Sequence, residues 1–463
     1  MPHPHPSERP PARGHALLMV VLCLLPFALL ALVLTSAVAV PAWLVLGALA
    51  LCVAVMLFVA REPAETGVEP HASVEVAREG RESERGVPED LILQTVDVIY
   101  PLAQYRLEDH YVIEGTLLME PDAAYAELGR RFDGSALVPL LQETGEGRPR
   151  LVLAPVGALP VGALPAPAQR PSRAWIHLAL LLATLATTTW AGAAHGGVDL
   201  LAEPGRFAVG LPYALALLLI LGAHELGHYF TARHHGIAVS LPYFIPIPFA
   251  LGTFGAFIRM RSLAADRRQM FDVAVAGPLA GLAIAVPALL VGLQDSTVVT
   301  GPSAPGMMMG GADVGSSVLF ASLAKAALGG AVLEGHRLVL HPVAFAGWLG
   351  LLVTALNLIP VGQLDGGHLV HAMLGHRAAR VVGVVALGTL VVLGLFVWSG
   401  LLVWALLIVL VAGTTDVPPL NDVSRVGQGR MALGAVAFAL LLLILLPVPH
   451  ALYEAFGIHS PYL

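Results

Sequence analysis

The chain has 463 residues, 57% of them hydrophobic and only 12% charged, with a formal net charge of −7 at pH 7 and a mean hydropathy of +0.77. That balance excludes an ordinary soluble globular protein. The scattered arginines form no basic stripe interleaved with aromatics, which argues against nucleic acid as a partner. The two cysteines, Cys23 and Cys52, both fall in apolar runs, which argues against a disulfide framework and against a thiolate metal site.

A hydrocarbon core about 30 Å thick takes roughly 20 apolar helical residues to cross. Windows near 15–36, 41–60, 174–194, 207–230, 271–293, 342–361, 379–397, 400–414 and 431–448 meet or approach that length. The expectation is an all-α multi-spanning protein of the lipid bilayer, with about nine transmembrane helices.

In chain order, 1–14 reads as a disordered N-terminus. Residues 15–60 read as a helical hairpin anchor: Arg9, Arg13 and the small residues Ser36–Val40 resemble a cleaved signal, but a second apolar run follows at once. Residues 61–90, rich in Glu, Arg and Gly, read as a polar linker. In 91–153, Tyr111–Glu120 has strand-like content, Pro121–Phe132 has helical spacing and Arg150–Leu153 suits another strand, so a small α+β soluble domain is expected. Residues 154–173 repeat VGALP and carry further prolines, a semi-rigid tether. A membrane core over 174–414 and a C-terminal loop with a final helix over 415–463 complete the chain.

Orientation follows from short loops. Arg233, Arg259, Arg261, Arg267 and Arg268 lie between two spans, whereas 294–340, read as a flexible external loop including Met307–Met309, carries only Lys325 and Arg337. Positive charge marks the cytoplasmic side, which puts the N-terminus and 61–173 there too.

Within the apolar run near 207–230 lies His224-Glu-Leu-Gly-His228. Residues four apart return to one helical face, so both imidazoles can address one ion. Glu225, beside the first, can act as a base toward water without being a ligand. A bare polar face is the alternative, but three ionisable groups in five residues of a membrane helix are costly unless they coordinate something or face a wet cavity. Catalytic zinc takes three protein ligands, so one is missing. Asp365, in Asn357-Leu-Ile-Pro-Val-Gly-Gln-Leu-Asp365-Gly-Gly, is the first candidate. A surface acid is its bland reading, and His368, His371, His376, His234 and His235, expected at the water interface, are substitutes. Pro360 should break the helix and free Asn357 to steady an oxyanion. Gly277 and Gly281 permit close helix contact within the chain.

The segment Leu241–Arg259 is apolar but broken by Pro242, Pro246, Pro248, Gly252 and Gly255. Such backbone is tolerated at membrane depth only where protein or a wet cavity satisfies it. A re-entrant strand or hairpin that pairs with extended substrate is expected; a loop lying on the interface is the alternative.

At HELGH and NLIPVGQLDGG, and through Ala250–Ile258 and Ala276–Gly281, the chain resembles the site-2 protease family of intramembrane zinc metalloproteases, most nearly a bacterial branch related to the chloroplast yellow-green proteins. The resemblance covers about 206–376. It implies a core of six helices, Zn2+ held by His224, His228 and Asp365, Glu225 as catalytic acid/base, and transmembrane proteins as substrates, cleaved in regulated intramembrane proteolysis within a bacterial cytoplasmic membrane. One proline, not a closely spaced pair, precedes Leu-Asp-Gly-Gly, and no PDZ-like or CBS-like module is recognisable. A metal-ion or proton-coupled transporter using the same buried residues and a catalytically silent scaffold are the rival readings.

Overall fold

The computed structural model describes residues 87–446 apart from 145–146, 159–173, 249, 301–316, 330–335, 397–399, 412 and 414–415. The expected N-terminus 1–14, hairpin 15–60, nearly all of the linker, most of the tether and Met307–Met309 lie outside the described residues. All described residues fall in one compact unit, Glu69–Leu463.

A short helix α1 (Glu89–Leu93) leads into strands β1 (Ile99–Leu107) and β2 (His110–Leu117), helix α2 (Pro121–Arg131), and strands β3 (Leu137–Glu143) and β4 (Pro149–Pro155). The four strands form an antiparallel sheet in the order β1-β2-β4-β3. Ile113, Leu141, Leu151 and Leu153 alternate onto the face that α2 covers with Ala124 and Leu128, and all six are fully buried. Pro121 opens α2 at a position where a missing N–H costs nothing, and Arg130 and Arg131 complement its C-terminal dipole.

The remainder is mostly helical: α3 (Ala174–His195), α4 (Leu211–His234), α5 (Arg267–Gln294), α6 (Val318–Leu328), α7 (Pro342–Leu358), α8 (Asp365–Leu374), α9 (His376–Phe396), α10 (Gly400–Val411) and α11 (Gln428–Leu445). The hairpin β5 (Tyr243–Pro246)–β6 (Thr253–Phe257) and the antiparallel pair β7 (Thr297–Thr300)–β8 (His336–Val339), whose strands flank α6, interrupt it. Among the described residues, α3, α4, α5, α9 and α11 are long and apolar enough to cross a membrane, while α6, α7 and α10 are shorter apolar helices.

Three sequence expectations need correction. The segment 294–340, read as a loop, contains α6 and the β7–β8 pair. The windows 342–361 and 400–414 form helices of only 17 and 12 residues. In the first case Pro360 drives the residue before it, Ile359, out of helical geometry to φ −59°, ψ 127°.

Helix α5 is the centre of the membrane core, packed against α4 on one side and α7 on the other. Asp266 caps it, accepting from the Gln269 N–H at 2.8 Å while Gln269 Oε1 accepts from the Ala265 N–H at 3.0 Å, a capping-box exchange shifted by one residue. Without water between apolar helices, association relies on close packing of small residues. On the α7 side, a Cβ on Gly292 would overlap Ala344, one on Gly347 would meet the Leu289 main chain at 2.6 Å, and one on Gly350 would meet Ala285 and Ile220 at 2.8 and 2.9 Å. On the α4 side, a Cβ on Gly227 would lie 2.6 Å from the Ala276 carbonyl oxygen. Gly347→Val should therefore prise α7 from α5 and cost about 1–3 kcal/mol, as overpacking does. Unfolding of the detergent-solubilised protein would report it as a lowered transition midpoint; an unshifted midpoint would show that the contact is not tight.

Candidate metal centre

His224 and His228 are presented by α4 one turn apart, and their Nε2 atoms lie 3.1 Å from each other. Asp365, the first residue of α8, brings its Oδ2 to 3.4 Å from His224 Nε2 and 3.3 Å from His228 Nε2. Two imidazole nitrogens and a carboxylate oxygen thus converge, each within 4.8 Å of the others, in the metal-competent group of described residues. The fit to zinc can be checked. Ligands about 2.0–2.1 Å from a tetrahedral ion sit roughly 3.3 Å from one another along its edges, and the three observed separations match that spacing.

Surrounding contacts fix the imidazoles. His228 Nδ1 lies 2.8 Å from the Val273 carbonyl oxygen on α5 and donates to it, which leaves Nε2 as the lone-pair nitrogen facing Asp365. Gly277 and Gly281, one turn apart on α5, provide the space. A Cβ on Gly277 would overlap the His228 ring, and one on Gly281 would stand 3.2 Å from His224 Cβ and 3.3 Å from its Nδ1. The sequence reading of this pair as close contact within the chain holds, and the contact is made with the two histidines themselves. His224 Nδ1 is buried without a hydrogen-bond partner among the described residues.

Asp365 reaches the group because the chain doubles back sharply. α7 ends at Leu358, the chain turns through Gly362 with φ +52°, and α8 starts at once. Cβ atoms on Gly366 and Gly367 would overlap the carbonyl oxygens of Leu358 and Gly362. That explains the paired glycines after the aspartate: α8 begins against the backbone it has just left. A single proline suffices for the break.

Glu225 is buried beside His224, within reach of the Ile258 main chain just after β6. Asn357 lies in the last turn of α7 with its Nδ2 3.4 Å from His224 Nε2. It is still helical there, so its position owes to α7 rather than to release by Pro360. The β5–β6 hairpin sits nearby with Tyr243 opposite Phe257 and Phe244 opposite Ala256. It is fastened to α3 by Thr187 Oγ1 donating to the Gly252 carbonyl at 2.6 Å and by His177, whose Nδ1 lies 3.1 Å from the Pro242 oxygen. Gly252, at φ +79°, has no room for a Cβ against the Thr188 main chain.

Three of the five histidines offered as substitute ligands are used otherwise, in ion pairs. His235 pairs with Asp272 at 3.1 Å. His371, expected at the water interface, is fully buried: its Nδ1 lies 2.6 Å from Asp416 Oδ2 and its Nε2 2.9 Å from Asp422 Oδ1. His368 Nδ1 lies 2.6 Å from Asp416 Oδ1. This cluster was missed in the sequence. Its signals were the i, i+3 spacing of the two histidines and two acids in the short polar stretch after α10.

Both ring nitrogens of His371 face carboxylates, so both donate and the ring is an imidazolium. Burial opposes that charge, but Asp422 and Asp416 outweigh it and lift the pKa from the ordinary 6.5 to about 9. Burial likewise opposes charge on Asp416, yet His368 and His371 hold it well below the ordinary 3.8.

Residues 212–398 match the sequence model described as Peptidase family M50. The chain is 41% identical over 255 residues to "Probable zinc metalloprotease EGY1, chloroplastic" of Arabidopsis thaliana, covering 54% of this chain and 45% of that one. It is 38% identical over 252 residues to the protein of that name from Oryza sativa subsp. japonica, covering 54% and 42%. To "Probable zinc metalloprotease EGY2, chloroplastic" of Arabidopsis thaliana it is 32% identical over 243 residues, covering 52% and 42%. The matches thus span less than half the length of these relatives. No solved structure matches the chain.

Two outcomes are expected. Asp365→Ala and Gly277→Ala should each lower the zinc retained by purified protein well below one per chain, the first by deleting a donor and the second by displacing His228; metal analysis with both at the wild-type level would reject this centre. The His371 imidazolium, with a folded pKa above its unfolded one, contributes stability that is complete below about pH 6.5 and is lost as pH rises through about 9. The depressed Asp416 contributes stability that is lost as pH falls through the acid range below 3.8. Unfolding midpoints should fall at both ends, and His371→Gln should flatten the alkaline limb and, by removing one of the two cations that hold Asp416 down, shrink the acid limb as well.

Proposed function

We propose, from the match of residues 212–398 to the Peptidase family M50 model, that the chain is an intramembrane zinc endopeptidase that hydrolyses peptide bonds of transmembrane proteins, with His224, His228 and Asp365 as the ligands. The carrying observation is the convergence of these three donors, from α4 and α8, at tetrahedral-edge spacing within the apolar core. Zinc held there supplies Lewis acidity toward the scissile carbonyl and makes water a usable nucleophile near pH 7.

The chain's own groups account for the remaining steps. Glu225, adjacent to the ligands and walled from bulk water, takes the proton of the attacking water and returns it to the leaving amine. Asn357 Nδ2–H, already beside the group, donates to the oxyanion of the tetrahedral species. His228, oriented by Val273, and His224, seated against Gly281, stay in place through the cycle.

A transmembrane substrate shields its peptide bonds in a helix, so it must be drawn out as a strand. We assign this to the β5–β6 hairpin as a re-entrant element. Among the described residues it is a two-stranded sheet, so each strand has one edge not paired with another described strand, where a further strand could add. Its partly exposed Ile245, Phe254 and Phe257 suit an apolar partner. We read 91–153 as a small cytoplasmic domain. Arg233, in the last turn of α4, and the loop arginines Arg259 and Arg261 support a site nearer the cytoplasmic side, and a bacterial cytoplasmic membrane is our reading of the bilayer; the relatives' printed names are chloroplastic.

A metal or proton transporter would use the same buried groups but has no need of an acid beside the first ligand. Glu225→Gln in liposomes separates the two. The proposal expects cleavage of a model transmembrane substrate to fall by at least about 100-fold, as loss of a general base does, with one zinc per chain retained. Cleavage at the wild-type rate would overturn it, and zinc flux that survives the substitution would favour the transporter.

A further inference from the structure

Helix α8 has ten residues, a rod of about 15 Å, and its two ends meet different parts of the molecule. Its first residue, Asp365, completes the metal group. Beyond its last turn Gly375, at φ +87°, abuts the soluble sheet: a Cβ there would stand 2.7 Å from Glu143 Oε2 and 3.1 Å from Arg267 Nη2. Glu143 ends strand β3, and Arg267 opens α5, the helix that seats both imidazoles. The two are paired at 2.7 Å.

The side of α8 is clamped as well. Asp422 Oδ1 takes both Arg267 Nε at 2.8 Å and His371 Nε2 at 2.9 Å. Asp416 uses one oxygen for His371 and the other for His368, three residues on from Asp365. His371 is fully buried and Asp416 and Asp422 almost so, and buried charges are tolerated only as paired sets. Glu143, Arg267, Asp422, His371, Asp416 and His368 therefore form one connected network, from the edge of the soluble sheet to the stem of the third ligand.

The backbone runs in parallel with it. The Leu141 N–H on β3 donates to Leu420 O at 2.9 Å, and the Asp422 N–H donates to Leu141 O at 2.7 Å. On their other side, the Leu420 and Asn421 N–H groups donate to Ala264 and Ala265 carbonyls at 3.0 and 2.9 Å. Asn421 thus makes isolated parallel bridges to Leu141 on one side and Asp266 on the other, linking the soluble sheet to the entry of α5.

We propose that His371 and the Glu143–Arg267 pair are positioning residues for Asp365, so that docking of the soluble sheet and zinc binding are thermodynamically linked. This rests on the reading of His224, His228 and Asp365 as zinc ligands. Linkage is reciprocal. A docked sheet holds α8 where its aspartate can coordinate, and zinc in turn holds the sheet against residues 420–422. A partner that pulls β3 away would then weaken the metal site without touching it.

The test uses the full-length chain in detergent micelles. Zinc affinity is read by competition with a chromophoric chelator, and amide hydrogen exchange over β3 and 420–422 is followed with and without zinc. Glu143→Gln and His371→Asn should each weaken zinc binding by about 10–100-fold, the usual cost of losing a group that orients a ligand. In the wild type, zinc should slow exchange at Leu141 and Asp422, and in Glu143→Gln that slowing should vanish. If the network served only general stability, both variants would unfold at lower temperature but keep wild-type zinc affinity and the zinc-dependent slowing; that result overturns the proposal. Should His371→Asn fail to fold, Glu143→Gln, a change at a partly exposed side chain, decides alone. Failure of the underlying reading is distinguishable: zinc affinity would then be untouched by Asp365→Ala, or the wild type would bind none, and the linkage falls with it.

Discussion

An ionisable group inside an apolar core is costly unless something satisfies it, and the arrangement around His224, Glu225, His228 and Asp365 follows from that constraint. Apolar helices in lipid gain little from burying apolar surface against one another, so they are held by close approach. Here α5 provides it, with Gly277 and Gly281 clearing space for the imidazoles on one side and Gly292 admitting Ala344 of α7 on the other. Because α7 is drawn in so tightly, its end falls beside His224, and the immediate reversal into α8 delivers the carboxylate. The donor set is thus a product of helix packing: the glycines have no chemistry of their own, and each determines where a donor stands.

The elements around the group divide its surroundings by task. The main chain of α5 orients His228 through Val273. Glu225 lies against Ile258 at the foot of the β5–β6 hairpin, so the proposed base and the proposed substrate strand meet at one place. The hairpin is apolar but anchored by polar contacts to α3 and α4, with Thr187 and His177 of α3 and Tyr213 of α4 each reaching a main-chain oxygen in or beside it. That combination fits an element that must hold an extended shape among apolar neighbours. At the opposite end of α8, ion pairs and isolated backbone bridges replace glycine packing as the means of attachment between the apolar helices and the four-stranded sheet.

What could be read in the sequence depended on distance along the chain. His224 and His228 were legible because a helix alone sets their relation, and the strands at 110–117 and 149–155 and the helix at 121–131 because their periodicity is local. Asp365 was legible only as the best of several partners, since the 137 residues from His228 to Asp365 carry no local signal of which acid returns. The network of His371, Asp416, Asp422, Arg267 and Glu143 was not legible: its members come from α8, a loop, α5 and β3, and pairing across four elements leaves no periodic trace. Helix α6 was hidden by the glycine-rich residues before it, and the shortness of α7 by the apolar run that continues past Pro360.

Every functional step proposed for the chain requires two imidazoles and one carboxylate, from α4 and α8, to hold a single zinc ion among the apolar helices. X-ray absorption at the zinc edge of the purified full-length protein tests this requirement most directly. The expected spectrum has a first shell of nitrogen and oxygen at about 2.0–2.1 Å, with outer-shell scattering from two imidazole rings. A sulfur shell near 2.3 Å, or a shell with no imidazole scattering, would contradict the requirement.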